Sequence, residues 1–152
     1  MFGTIADELQ TQIAALEDEE EVPTFGKVLI GMPEKLSIST GPVCVIELYE
    51  TPEIRPAIRG SNYFFRINVA LTVIVKGMLD TSVSNVYTAM DSLITYLAGD
   101  PHINSTAASS VIKTVGFGPI QVNKTKSGRE TRDLYYGGVL VLEVGKGFAF
   151  NE

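Results

Sequence analysis

The chain has 152 residues, of which 45% are hydrophobic and 20% are charged, as expected for one globular domain over residues 1–152. Its single cysteine excludes an intrachain disulfide, and its single histidine excludes a metal site or proton relay built from two histidines. The formal net charge of −6 argues against nonspecific nucleic-acid binding, because such binding depends on clustered lysine and arginine.

The start of the chain carries acidic side chains and no basic segment, and its apolar runs are short. A secretory signal needs a basic start followed by an apolar core, and a membrane-spanning helix needs about 20 apolar residues. The sequence therefore predicts neither export nor membrane insertion, and we expect the protein to be made in a reducing cytoplasm.

Charge is distributed unevenly along the chain. Residues 1–50 hold ten acidic and two basic side chains, a net of −8, whereas residues 51–152 hold eight acidic and ten basic, a net of +2. Such a distribution can guide self-assembly between unlike surfaces. If the two halves of the chain intermingle in space, which is the simpler expectation, the asymmetry has no consequence.

The first predicted element is a helix over 5–16, because apolar residues recur there at helical spacing. Its stripe consists of Ile5, Leu9, Ile13 and Leu16. Thr4 is the predicted N-cap, with Asp7 and Glu8 in the first turn. The five carboxylates of Glu17–Glu21 oppose the helix dipole, so the helix should fray there. We interpret this run as a solvated acidic loop, because consecutive carboxylates do not converge on a metal ion.

Glycine and proline punctuate residues 22–42, which are therefore predicted to form a loop. The β-branched run Val43–Glu50 predicts a strand. Residues 51–62, which include Arg55 and Arg59, are predicted to form a long exposed connection. A connection longer than a tight hairpin needs is a candidate contact loop.

The clearest pattern lies in Tyr63–Val75, where apolar residues alternate with residues that include Arg66, Asn68 and Thr72. This period of two predicts a strand with one buried face. Thirteen residues span roughly 43 Å at ~3.3 Å per residue, more than the core of a small domain requires. We expect part of this strand to project beyond the core or to pair with a neighbour.

A second amphipathic helix is predicted over 83–97. Thr81 or Ser82 is its predicted N-cap, and Gly99 its predicted C′ residue. The apolar stripe of this helix should lie across the buried face of the long strand.

Two more strands are predicted near the end of the chain. Val111–Val122 contains Gly116–Pro119, which suggests a bulge or a bend, and Leu134–Val144 is rich in valine and leucine. The intervening residues 123–133 are predicted to form a hairpin with Ser127-Gly128 at its tip. This most basic segment of the chain holds Lys124, Lys126, Arg129 and Arg132.

The sequence offers no catalytic constellation. His102 precedes several serines in the predicted polar loop 102–110, but nothing marks a base held by a third group or an oxyanion hole. Cys44 lies inside a predicted strand and is interpreted as a small buried side chain. The glycines lack the spacing of a phosphate-binding loop. We therefore expect no enzyme activity, no cofactor and no metal.

The order of elements is helix, loop, strand, strand, helix, strand, strand. It predicts an α+β domain with a mainly antiparallel or mixed sheet of about four strands, and with both helices packed on one face.

This order resembles the tail terminator proteins of long-tailed bacteriophages, also called tail completion or head–tail joining proteins. The resemblance covers Ile5 to Val144 and rests on the arrangement of an N-terminal helix, the strand PVCVIELYE, the strand YFFRINVALTVIV, the helix VYTAMDSLITYLAGD and the closing segment LYYGGVLVLEV. It implies a homo-oligomeric ring, usually a hexamer, at the neck end of the tail in the virion. Such a ring caps the tail tube protein, stops tube growth and joins the tail to the head connector.

The resemblance also implies that the genome passes through the ring lumen without specific binding, and it brings no catalytic residues. The candidates for contacts with neighbours are the acidic loop, notably Glu19 and Glu20, the four basic hairpin residues, and Arg55 with Arg59. Two alternatives remain open: another neck or tail protein, such as a stopper or minor tail protein, and an unrelated small α+β binding domain. A tube subunit fits less well, because it should lack two strong helices.

Overall fold

The structure, a computed structural model, describes residues 2–33, 36, 41–56, 62–77, 79–120, 125–126, 129–130 and 134–149. The elements in chain order are α1 (Phe2–Ala14), β1 (Lys27–Ile30), β2 (Val43–Pro56), β3 (Asn62–Lys76), α2 (Asp80–Gly99), β4 (Ser109–Ile120), β5 (Thr125–Lys126), β6 (Arg129–Glu130) and β7 (Tyr135–Ala149). Five strands form one mixed sheet in the order β1-β2-β3-β7-β4, and β5 pairs with β6. The predicted α+β fold is confirmed, with five strands in the sheet where about four were expected.

The helix-facing side of β3 organises the main core. Its odd-numbered residues Ile67, Leu71 and Val73 are buried in one cluster with both helices. α1 lies against β1 and β2, whereas α2 lies against β3, β7 and β4. The helices contribute Ile5, Leu9 and Ile13 from α1, and Val86, Ala89, Met90, Leu93 and Leu97 from α2. Both helices therefore bury their apolar stripes on the same face of the sheet, as predicted.

The opposite face of the sheet carries a smaller cluster. Leu36 packs there with Val43, Val45, Ile74 and Tyr135. Leu36, which comes between the parallel strands β1 and β2 in the chain, therefore lies on this face.

The same face also carries a charged group between neighbouring strands. Arg66 Nε lies 3.3 Å from Glu143 Oε1, and Lys113 Nζ lies 3.1 Å from Glu143 Oε2. Both pairs are partly exposed, so each contributes little to stability, about 0–1 kcal/mol. Their role is to hold polar side chains of β3, β7 and β4 together on the face away from the helices.

The extra strand, β1, lies inside the segment predicted to be a loop. It has four residues and pairs in parallel with β2, with Val28 opposite Cys44. Four residues between Gly26 and Gly31 are too few to show a periodic pattern. Pairing with a distant strand, rather than a local preference, makes this segment extended.

The predicted connection over 51–62 is wrong for most of its length. β2 continues to Pro56 and β3 begins at Asn62, with Arg55 paired opposite Phe64. The prolines suggested a loop, but β1 ends opposite Ile46, so this part of β2 is an edge strand. Edge strands tolerate proline because the missing N–H faces away from the pairing partner.

Three strands run on beyond the two outer ones. β1 reaches only Ile46 of β2, and β4 reaches only Gly145 of β7. Beyond these points β2, β3 and β7 remain paired, and Tyr63 is matched with Pro56 on one side and Phe148 on the other. We call this extension, residues 53–56, 62–66 and 145–149, the three-stranded arm. It agrees with the expectation that the long strand projects past the core.

Both helices begin earlier than predicted. α1 starts at Phe2, which places Thr4 and the first predicted turn inside the helix, and it ends at Ala14 before the acidic run. α2 follows Leu79, an N-cap without a side-chain cap, and Ser82 Oγ instead donates to the carbonyl of Lys76 at 3.2 Å. A side-chain cap contributes about 1 kcal/mol, less than a buried apolar residue, so packing sets these helix ends.

The other predicted end features are also displaced. Gly99 is the last residue of α2 rather than the residue after it, and the N–H of Asp100 donates to the carbonyl of Tyr96. In β4 the irregular pairing lies between Ile112 and Thr114, whereas Gly116–Pro119 pairs regularly with β7. The glycines of β4 are therefore positions without side chains in a regular strand, not a bulge.

Gly137 and Gly116 differ in the space around them. A Cβ atom at Gly137 would overlap the carbonyl oxygen of Val73 and the side chain of Ile120, whereas one at Gly116 meets nothing. We expect Gly137→Ala to lower the free energy of unfolding by about 1–3 kcal/mol, as overpacking does. Gly116→Ala, the matched control, should leave that free energy unchanged or slightly higher. Urea denaturation measures both, and equal losses would contradict the described packing of β7.

Candidate interaction surfaces

The outer strand β4 presents an open edge. It pairs with β7 on one side and with no described strand on the other. The free N–H and C=O groups of an edge strand can pair with another chain. Three of its large apolar side chains are exposed: Val111 by 61%, Val115 by 37% and Phe117 by 46%. We call these residues, with the exposed Val139 of β7, the β4 surface. Val115 and Phe117 lie on the helix-bearing face of the sheet, whereas Val111 and Val139 lie on the other face.

Few of the features that usually protect an edge strand occur in the middle of β4. Lys113 is drawn toward Glu143, and Pro119 lies next to the last residue of the strand. Between them, Thr114–Gly118 carries no charge and no proline. Its two glycines leave a groove of about 430 Å³ beside Val139. A segment of this kind is suited to the addition of a strand from another chain.

Phe117 is held in place by neighbouring aromatic rings. Its ring meets Tyr87 of α2 edge to face, with centroids 4.9 Å apart. The hydroxyls of Tyr87 and Tyr136 lie 3.4 Å apart, and this hydrogen bond raises the pKa of Tyr136. Gly138 makes room for Phe117, because a Cβ atom there would lie 2.9 Å from the ring. An exposed ring that is already oriented loses little side-chain freedom when it binds a partner.

At the opposite edge of the sheet, the core opens into a cleft of about 390 Å³ between α1 and β2. Ile46, Ile67 and Val69 lie at its base, and Glu47 is the charged residue among those that line it. Its rim is formed by exposed apolar side chains of three elements: Phe2, Ile30 and Leu48. We call this feature the α1–β2 cleft.

The edge of β1 itself is covered, unlike that of β4. α1 packs along β1, and Gln10 Nε2 donates to the carbonyl oxygen of Val28 at 2.9 Å. A helix over an edge strand prevents pairing with another strand. The apolar rim of the α1–β2 cleft, rather than backbone pairing, is therefore what this side of the molecule offers to a partner.

The acidic loop after α1 is an ordered turn. Asp18 Oδ1 accepts hydrogen bonds from the main-chain N–H groups of Glu20 and Val22, each at 2.9 Å. Glu17 bridges to Pro23, and Glu21 adopts a φ of 62°. The predicted contact residues Glu19 and Glu20 are exposed at its tip. The loop thus displays a fixed cluster of carboxylates at the edge of the sheet formed by α1 and β1.

The structure describes only some of the other predicted contact residues. Lys126 and Arg129 lie in β5 and β6 and pair with each other, which confirms a hairpin in this segment. Arg55 lies in β2 within the three-stranded arm. Lys124, Arg132 and Arg59 lie outside the described residues. In chain order, the acidic loop lies between α1 and β1, whereas the basic hairpin lies between β4 and β7.

A polar network that the sequence did not reveal joins the end of α2 to α1. Asn104 donates from its main chain to Asp100 Oδ2 and from its side chain to Glu8 Oε1, both at 2.8 Å. The bond from Asn104, followed by that from Gln12, lowers the pKa of Glu8. Residues 103–105 all have positive φ, and this left-handed turn places Ile103 in the core. The network fixes α1 against the far end of α2.

The candidate reactive residues have structural surroundings. Cys44 is fully buried, and burial raises the pKa of its thiol to about 12, as expected for a small core side chain. His102 is exposed in the turn after α2. Within the part of the chain that the structure describes, no group of three or more histidine, cysteine or acidic side chains could hold a metal ion. Among these same residues, no helix is long and apolar enough to cross a membrane.

Comparison with protein-family models and with curated proteins finds no match to this chain.

The surroundings of Cys44 predict its reactivity. A buried thiol with a raised pKa holds almost no thiolate at pH 8, and the thiolate is the reactive form. We expect no reaction of the native protein with a colorimetric thiol reagent at pH 8, and one thiol per chain after unfolding in guanidinium. Rapid reaction of the native protein would place Cys44 at the surface and contradict the described β2–β3 core.

Proposed function

We propose that this chain is a virion structural protein of a long-tailed bacteriophage, a tail terminator. Copies form a ring on the tail tube, a hexamer as the resemblance implies. The ring stops tube growth and joins the tail to the head connector. The order of elements supports this proposal. The observation that carries it is that the sheet leaves an open outer strand and a three-stranded arm for neighbours.

The exposed features suit protein contacts rather than chemistry. The β4 surface is an apolar strand edge, and the α1–β2 cleft is lined almost entirely by apolar side chains. On this proposal the protein is not an enzyme and needs no cofactor. The formal net charge of −6 suits a ring through which DNA passes without adhering. The protein would be assembled in the host cytoplasm and retained at the neck of the virion.

Removal of the protein tests this function directly. A protein that halts tube growth should leave tubes longer than normal when it is absent, because subunits continue to add to an uncapped end. We therefore expect a phage in which this gene is interrupted by a stop codon to produce overlong tails without heads. Electron microscopy of the lysate measures tail length, and supply of the intact chain from a plasmid is the control.

Other outcomes of the same experiment would reject the proposal. Tails of normal length beside unattached heads would indicate a stopper or minor tail protein. Unaltered infectious particles would indicate an unrelated binding domain.

The basic hairpin gives a second test. Reversing Lys124, Lys126 and Arg129 to glutamate should block head–tail joining if the hairpin docks on an acidic surface of a neighbour, of the tube or of the connector. Reversing the exposed Lys27 and Lys76, which lie outside the hairpin, is the control. Both variants should keep the unfolding midpoint of the parent, because exposed charges contribute little to stability. Normal yields of infectious particles from the hairpin variant would show that it takes no part in joining.

A further inference from the structure

The uneven distribution of charge along the sequence places different net charges at the two edges of the sheet. Residues 1–50, with a net charge of −8, build α1, β1 and the first part of β2 at one edge of the sheet. Residues 101–152 build β4 and β7 at the other edge, and hold six basic and four acidic side chains, a net of +2. These two parts of the chain therefore build opposite edges of the sheet, although they meet where Asn104 binds Glu8 and where Tyr135 packs with Val43 and Val45.

The two charged edges are far enough apart to act separately. β1 and β4 are the outer strands of a five-stranded sheet, so four strand spacings of ~4.8 Å put them roughly 19 Å apart. At physiological salt, exposed charges are screened over about 8 Å. The charges at one edge thus do little to neutralise those at the other within a single copy. They remain available to a neighbour of opposite charge.

Most of the exposed large apolar side chains fall at the same two edges. One group consists of Phe2, Ile30 and Leu48, which line the α1–β2 cleft, and of Met32, which follows β1 in the chain. The other group is the β4 surface. Among the described residues, four large apolar side chains are exposed outside both groups: Val22, Leu79, Tyr87 and Leu134. Each edge therefore combines an apolar patch with a charge opposite to that of the other edge.

Unlike patches on opposite edges define one type of assembly. A symmetric dimer uses the same patch on both copies, whereas contact between two different patches repeats from copy to copy and yields a ring when it closes. The two patches here differ in shape, since one is a cleft between a helix and the sheet and the other is an edge strand with an oriented ring at Phe117. They also differ in charge. A second copy of this chain supplies both complementary features at once.

We propose that the α1–β2 cleft of one copy receives the β4 surface of the next copy. In this head-to-tail contact Val115 and Phe117 meet the apolar rim at Ile30 and Leu48, and the acidic edge faces the basic edge. The inference rests on the proposed ring and names the surfaces that build it. It commits to a second copy as the occupant, and the tail tube and the connector are the competing occupants.

Variants of the two edges test this contact in the purified full chain. Leu48→Asp alters the cleft and leaves the β4 surface intact, whereas Phe117→Asp does the reverse. Leu79→Asp, at an exposed position outside both patches, is the matched control. Because Phe117 also packs on Tyr87, Val115→Asp serves as a second variant of the β4 surface. Circular dichroism and the unfolding midpoint establish that each variant is folded.

Sedimentation over a range of protein concentrations measures the assembly. We expect the parent and Leu79→Asp to self-associate, more weakly at high salt, and each edge variant alone to stay monomeric. An equimolar mixture of Leu48→Asp and Phe117→Asp should form dimers and nothing larger, because it retains one intact cleft and one intact β4 surface per pair. Dimers that form in the mixture, but not in either variant alone, would show that the contact joins two different patches.

Three results would overturn the inference. A monomeric mixture would show that the two patches do not meet, and continued assembly of Leu48→Asp alone would indicate a symmetric contact between two β4 strands. A parent that stays monomeric at every concentration would assign these patches to the tube or the connector. Tail length after loss of the protein is measured in a separate experiment. If the mixture forms dimers but loss of the protein leaves virions normal, this contact stands and the proposed neck function is wrong.

Discussion

The burial of one face of the sheet, with β3 at its centre, beneath two helices is the constraint on which the rest of this protein depends. β3 is the central strand, paired on both sides, and its odd-numbered side chains support both α1 and α2. A slip of one residue would turn Arg66 and Asn68 toward the helices and bring Ile67 and Val69 to the other face. Each buried valine or leucine contributes about 1.5–3 kcal/mol, so this register is strongly favoured over its neighbours.

The same constraint does not extend to the ends of the long strands or to the outer edge of the sheet. The helices cover only part of the length of β3, while β2, β3 and β7 continue together as the three-stranded arm. On the far side of β7, β4 completes the core through Ile112 yet leaves its own outer backbone without a described partner. A sheet whose strands are longer than its main core, and whose outer strand has a free edge, can pair with strands of other chains.

The parts of the fold that follow from periodicity could be predicted from the sequence. The bounds of β3, the stripe of α2 and the placement of both helices on one face all reflect burial patterns that repeat many times along the chain. β1 could not be predicted, because four residues show no period and only the partner strand Cys44–Ile46 makes them extended. The helix caps failed for a related reason: local preferences of about 1 kcal/mol were outweighed by packing.

The candidate interaction surfaces could be predicted from the sequence only in part. The exposure of Glu19 and Glu20 could be predicted, because they belong to a run of carboxylates. The hydrogen bonds to Asp18 that order this turn could not be predicted, because nothing in the sequence distinguishes Asp18 from its acidic neighbours. The sequence analysis did not predict the β4 surface, although the absence of charged residues in Thr114–Gly118 is typical of a strand that binds another chain. Only the order of strands shows that this apolar segment lies at an edge. The links between Asn104 and Glu8 and between Lys113 and Glu143 depend on contacts between distant parts of the chain.

Amide hydrogen exchange along β4, measured in the isolated chain and in purified tails, tests most directly whether the open edge of the sheet is an assembly surface. In the isolated chain, the outward-facing amides of Thr114–Gly118 should exchange rapidly, while amides of β3 are protected on both sides. In assembled tails the same β4 amides should become protected, with little change in β3. Rapid exchange of these β4 amides in both states would contradict the account.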